Sequence, residues 1–184
     1  MPTPVIAVLV GSLRRQSLNR RLAQALSSLA GSRAQCALLD LSGLPLYNQD
    51  DDAAMPAASV ALRDAVQKAD AVLFVTPEYN RSLPGVLKNA IDIGSRPYGQ
   101  SVWAGKPAAV CGASPGATGT AMAQQHLRNI LAHLDMRIMG QPEMFLKAND
   151  ALFAEDGRIT NEGTGKFLGG FVDAFLQHIE RTTK

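Results

Sequence analysis

The chain has 184 residues, 46% of them hydrophobic and 18% charged, with a formal net charge of +2 at pH 7. That length suits one domain spanning 1–184 with a full core, and the cations form no long basic run, which argues against a nucleic-acid partner. The apolar run near the N-terminus covers only Val5 to Val10, with no basic residue ahead of it, so neither a signal peptide nor a membrane span can be drawn there, and a cytoplasmic protein is expected.

Val5–Val10 is rich in β-branched residues and reads as a buried strand. A polar turn follows, then a helix over about 18–29 with Leu18, Leu22, Leu26 and Leu29 on one face. Residues 35–41 read as a second strand, and Pro45 with the acidic Asp50-Asp51-Asp52 cluster as a solvated loop. An alanine-rich helix is expected over 57–68, and a buried third strand over 71–76, ended by Pro77. Pro84-Gly85 introduce a helix over 86–93, and 107–111 form a fourth strand. A glycine-rich stretch over 112–119 leads into a helix over 120–134. Residues 136–147 hold a fifth strand interrupted by Gly140 and Pro142; Asp156-Gly157 make a turn, and a last helix covers 162–180. Strict βα alternation predicts an α/β fold: a doubly wound, five-stranded parallel sheet with helices on both faces. The common order for five such strands, 2-1-3-4-5, puts the ligand crevice outside the carboxyl ends of the first and third.

The turn after the first strand holds Gly11, Ser12, Arg14, Arg15, Ser17 and Asn19. A strand entering a helix this way aims free N–H groups and the positive dipole end at one point, which attracts an anion. The hydroxyls, the amide and the arginines could coordinate a phosphate almost completely. Ser17 is equally readable as a plain helix N-cap, with the arginines solvated. Gly-x-Gly-x-x-Gly is missing, so Asp40 has no partner motif as a ribose acid; Gly105-Lys106-Pro107 and Gly165-Lys166-Phe167 both fail the Gly-Lys-Ser/Thr pattern. A terminal monophosphate therefore fits better than a pyrophosphate. Cys36 and Cys111 sit in apolar runs and read as buried thiols in a reducing compartment. Neither has an arginine six positions on, which excludes a cysteine phosphatase loop.

The loop after the third strand, Thr76-Pro-Glu-Tyr-Asn80, offers an aromatic face in Tyr79 and polar groups in Asn80, a mix suited to a flat heteroaromatic ring with a polar edge. It also reads as a proline-rich turn with Tyr79 half exposed. After the fourth strand, Ser114, Gly116 and Gly119 allow close backbone approach from the other side. Lys88 and Asp92 are spaced for an intrahelical pair. His126 and His133 belong to a surface or subunit interface rather than a metal site.

Gly11-Ser-Leu-Arg-Arg-Gln-Ser-Leu-Asn19, Thr76-Pro-Glu-Tyr-Asn80 and Pro84-Gly-Val-Leu-Lys-Asn-Ala-Ile-Asp92 together resemble the signatures of the NAD(P)H-dependent FMN reductases. These are flavodoxin-like proteins that include quinone, azo-dye and chromate reductases. The resemblance implies FMN bound non-covalently, its phosphate taken by Ser12, Arg14, Ser17 and Asn19. Gly11, Leu13 and Leu18 of the same loop fall in the cofactor site. The ring would lie against Pro77, Glu78, Tyr79 and Asn80, with Ser114 near its other edge. It further implies NADPH or NADH as hydride donor, a quinone, flavin, azo dye or chromate as acceptor, and a homodimer or homotetramer with flavin at the subunit interface. No metal and no catalytic side chain is required, because the cofactor carries the chemistry. Arg81 stands where many relatives carry an aromatic or small residue. The rival readings are a flavodoxin-type electron carrier, which usually has a threonine-rich phosphate loop and acidic surface absent here, and a non-enzymatic flavin-binding protein.

Overall fold

Strand β1 (Val5–Val10) lies between β2 (Gln35–Leu39) and β3 (Ala71–Val75), and β3 lies beside β4 (Pro107–Ser114), all parallel. This is the expected flavodoxin-like order. The structure, a computed structural model, describes residues 2–154 and 157–183. Asp156 of the expected turn lies outside the described residues, while Gly157 adopts φ 83° and donates to the Ala154 carbonyl.

Alternation along the strands divides the core in two. Ile6, Val8 and Val10 face Leu22 and Leu26 of α1 (Leu18–Ala30) and Phe171 and Phe175 of α5 (Glu162–Thr182). Ala7 and Leu9 face the other way, onto Leu62 of α2 (Ala57–Lys68), Leu87 and Ile91 of α3 (Gly85–Gly94) and Leu127 of α4 (Ala121–His133). Strands buried on both faces need apolar residues throughout, and β3 is buried at every position.

The fifth strand differs from expectation. Residues 137–147 form two short strands, β5 (Arg137–Ile138) and β6 (Met144–Lys147), and both pair with β4 at different places along it. The Gly140-Gln-Pro142 break does not merely interrupt one strand; β5 pairs with Pro107 and Ala108, and β6 with Cys111 to Ser114. Gln124 of α4 fastens this return, its Nε2 donating to the Met144 carbonyl at 2.7 Å. The cysteines also divide. Cys111 is fully buried and burial pushes its thiol pKa up, whereas Cys36 is only half-buried on the edge strand. In the acidic cluster, Asp52 accepts from the Tyr47 hydroxyl at 3.4 Å and only Asp50 is well exposed.

Trp103 is fully buried, its ring 5.8 Å from that of Phe74 and its Nε1 donating to the Ile91 carbonyl at 2.9 Å. Gly94 makes room for it: a Cβ there would stand 2.4 Å from the indole.

Candidate functional site

The loops leaving β1, β3 and β4 meet at the carboxyl edge of the sheet around a cleft of about 160 Å³. Ser12, Arg14, Ser17, Leu18, Asn19, Pro77, Glu78, Tyr79 and Ser114 all line it, so most of the expected residues come together. Gly11, Leu13 and Asn80 do not line it. Gly11 sits behind the first loop, where a Cβ would press on Pro77 Cδ at 3.2 Å and on Leu87 and Pro84 at 3.3 Å. Its missing side chain therefore lets the first and third loops lie together. Leu13 is 52% exposed. Asn80 occupies a turn.

At the first loop, Ser17 is indeed the N-cap of α1, its Oγ accepting from Arg20 N at 3.2 Å. Capping uses one orphan donor and leaves the Leu18 and Asn19 N–H groups without an intrahelical acceptor. The Ser12 side chain is almost buried, yet neither its hydroxyl nor the exposed Arg14 guanidinium has a hydrogen-bond or ionic partner among the described residues. Here the donor set exceeds what the fold uses, which is the arrangement an incoming phosphate requires. Asn19 is different. Its Nδ2 donates to the Ala113 carbonyl and its Oδ1 accepts from the Ala113 N–H, both at 2.9 Å and both buried. The side chain pins the start of α1 to the end of β4, and what it adds to an anion site is its backbone N–H.

The third loop spends several of its polar groups on its own shape. Asn80 and Arg81 lie at φ 51° and 67°, and Tyr79 and Ser82 exchange two backbone hydrogen bonds of 2.9 and 3.0 Å, which makes a two-residue hairpin with both central residues left-handed. Glu78 Oε2 accepts from Met122 N at 3.1 Å and Ala123 N at 3.2 Å. It thereby caps α4, whose own N-cap Thr120 makes no side-chain cap. One turn further along α4, His126 Nδ1 meets Ser82 Oγ at 3.0 Å. The hairpin is thus held against α4 at two points, leaving Tyr79 48% exposed at the rim.

In the loop after β4, Ser114 Oγ accepts from Gly116 N at 3.0 Å, and its hydroxyl hydrogen remains available to the cleft. Gly112 and Gly119 permit close packing: a Cβ on the first would lie 2.1 Å from the Thr76 carbonyl, and on the second 2.7 Å from Phe145 backbone. Lys88 and Asp92 form the expected ion pair at 2.8 Å. The tie from Asn19 to Ala113 and the cap that Glu78 places on α4 were missed from sequence; both join residues far apart in the chain, and no local pattern carries them. Among the described residues no group of three or more His, Cys, Asp or Glu could hold a metal, and no helix is long and apolar enough to cross a membrane.

Known proteins resemble this chain in sequence and in fold. Residues 4–150 match the family described as NADPH-dependent FMN reductase. A 2-hydroxy-1,4-benzoquinone reductase from Burkholderia sp is 53% identical over 170 residues, 92% of this chain and 93% of that one. A quinone reductase from Pseudomonas putida is 51% identical over 176 residues, covering 95% and 94% of the two chains. The solved structure of FerB from Paracoccus denitrificans, a flavoenzyme NAD(P)H:(acceptor) oxidoreductase, superposes with a TM-score of 0.94 at 49% identity, over 97% of this chain and 98% of that one. The chain belongs to the NADPH-dependent FMN reductase family and is an NAD(P)H- and FMN-dependent oxidoreductase with a flavodoxin-like fold.

Proposed function

We propose that the chain reduces quinone-type acceptors, with its FMN held in the cleft between the β1, β3 and β4 loops. The observation that carries this reading is the surplus of donors at the first loop: the Ser12 hydroxyl, the Arg14 guanidinium and the Leu18 and Asn19 N–H groups gather at one small cleft without partners among the described residues. That set matches a phosphate dianion in charge and in hydrogen-bonding sense. FMN bound there supplies hydride acceptance and two-electron delivery. The protein's own part is to anchor, orient and leave one side open. Ser12, Arg14 and the start of α1 hold the phosphate, Ser17 keeps that helix end capped, and Asn19 keeps Ala113 and hence Ser114 in place. Gly11 lets Pro77 come close, while Pro77, Tyr79 and the hairpin bearing Asn80 flank the ring; Leu13 and Leu18 give the first loop its apolar side.

A cleft of about 160 Å³ is small against the 300 Å³ or more of an ordinary ligand site. The outer face of the ring therefore stays open, both to the nicotinamide of NADPH or NADH and to the acceptor in turn. That openness also suits completion by a second copy of the chain, in a homodimer or homotetramer. A quinone is the favoured acceptor, with flavins, azo dyes and chromate as further ones, because the 53% and 51% identical relatives are named as quinone reductases. The reading includes a cytoplasmic location, in keeping with two cysteines that form no disulfide.

The test is the visible spectrum of the purified protein, repeated without oxygen after adding NADPH or NADH and then a quinone. A flavin spectrum that bleaches with either nucleotide and returns with the quinone is expected. Flavin that does not bleach would favour an electron carrier or a passive flavin binder. A protein that takes up no FMN would overturn the site assignment.

A further inference from the structure

We infer that Arg81 sets acceptor specificity, favouring quinones that carry a negative charge over neutral ones; this rests on the function proposed above. Three observations lead there. First, Arg81 occupies the second central position of the hairpin at φ 67°, directly after Asn80 at φ 51°. That position favours glycine, and a long β-carbon-bearing side chain there is held at a cost in backbone energy. Second, its guanidinium is exposed and has no ionic or hydrogen-bond partner among the described residues. Third, the hairpin that carries it is fixed, by its own paired hydrogen bonds, by Glu78 on the N-terminus of α4 and by Ser82 on His126. The backbone that bears the cation is therefore fixed two residues from Tyr79 at the rim of the cleft, which confines the reach of the side chain.

Arg14 lies on the first loop, where the cofactor phosphate would neutralise it, and Glu78, which also lines the cleft, places one carboxylate oxygen on the N-terminus of α4, whose dipole offsets part of its charge. Within the hairpin from Tyr79 to Ser82, Arg81 supplies the one charge. The class of substrate it suits is a quinone with an ionised hydroxyl or a carboxylate on its ring. Acting through largely solvated surroundings, one unit charge changes the capture of such an anion by about three- to tenfold.

The test compares Arg81→Gly, which fits the turn, and Arg81→Lys, which keeps the charge, with the unaltered protein, all loaded with FMN. The substrates are 2-hydroxy-1,4-naphthoquinone, an anion at neutral pH, and 2-methyl-1,4-naphthoquinone, which is neutral. The quantity read is the ratio of kcat/KM for the two quinones, in which their different potentials cancel between variants. Arg81→Gly is expected to lower the anion-to-neutral ratio about three- to tenfold, and to flatten the dependence of the anion's rate on salt. Arg81→Lys is expected to restore most of it. An unchanged ratio in Arg81→Gly overturns the inference, and so does a loss equal for both quinones that is larger with NADPH than with NADH, which would assign the charge to the donor. If the unaltered protein oxidises neither nucleotide with either quinone, the proposed function itself fails, a result distinct from the first two.

Discussion

The two ends of the cleft are built on opposite principles. The first loop, at the start of α1, keeps polar groups in reserve: Ser12 and Arg14 make no hydrogen bond among the described residues, and the helix end keeps free N–H groups. The hairpin after β3 commits Glu78, Ser82 and the Tyr79 backbone to α4 or to the hairpin itself, and only its two central side chains, Asn80 and Arg81, point away from that framework without partners among the described residues. The difference teaches where binding and where shape are encoded. An anion can be recognised by donors that wait for it. A flat ring exposed on one side needs a surface that does not move, so there the polar groups serve rigidity.

Asn19 is the point at which the first loop behaves like the second, and breaking it gives the largest expected effect. Asn19→Asp sets a buried carboxylate against the Ala113 carbonyl, which loses its donor. We expect a loss of about 3 kcal/mol, a fall in the melting temperature of FMN-free protein by roughly 10 °C. Arg14→Ala should do the reverse. FMN binding weakens about ten- to hundredfold by fluorescence titration, while the melting temperature of the FMN-free protein stays put because that guanidinium has no partner among the described residues. If both variants lost stability alike, the contrast between reserve and commitment would collapse.

Smaller effects are expected at the hairpin. Glu78→Ala removes the cap from α4 and should cost about 1 kcal/mol, or roughly 3 °C in melting temperature. Arg81→Gly relieves a left-handed residue and should raise stability by about 0.5 kcal/mol, the strain relieved being partly offset by added freedom in the unfolded chain. A melting temperature that falls instead would mean the Arg81 side chain holds the turn together.

Much of this was legible in the sequence because it is local. Alternation of apolar runs and amphipathic helices gave β1 to β4 and all five helices among the described residues within a few positions of where they stand. Polar loops after the strands of a parallel sheet must gather at one edge, so the meeting of Ser12, Tyr79 and Ser114 followed from topology. What escaped was long-range. Whether Met144–Lys147 continues β5 or forms its own pairing depends on the eight-residue length of β4, which offers two docking stretches to a chain that breaks at Pro142. The Asn19 amide reads from sequence as a ligand, and its true occupation, Ala113, lies 94 positions away.

The burial of Trp103 has a practical consequence. It is the chain's single tryptophan, shut off from water between Phe74 and Gly94. Its emission should be blue-shifted in the native protein and move red in one step as the fold opens. The flavin absorbs in that emission band, so energy transfer dims the indole as cofactor loads, and one optical channel reads both occupancy and unfolding without any added dye.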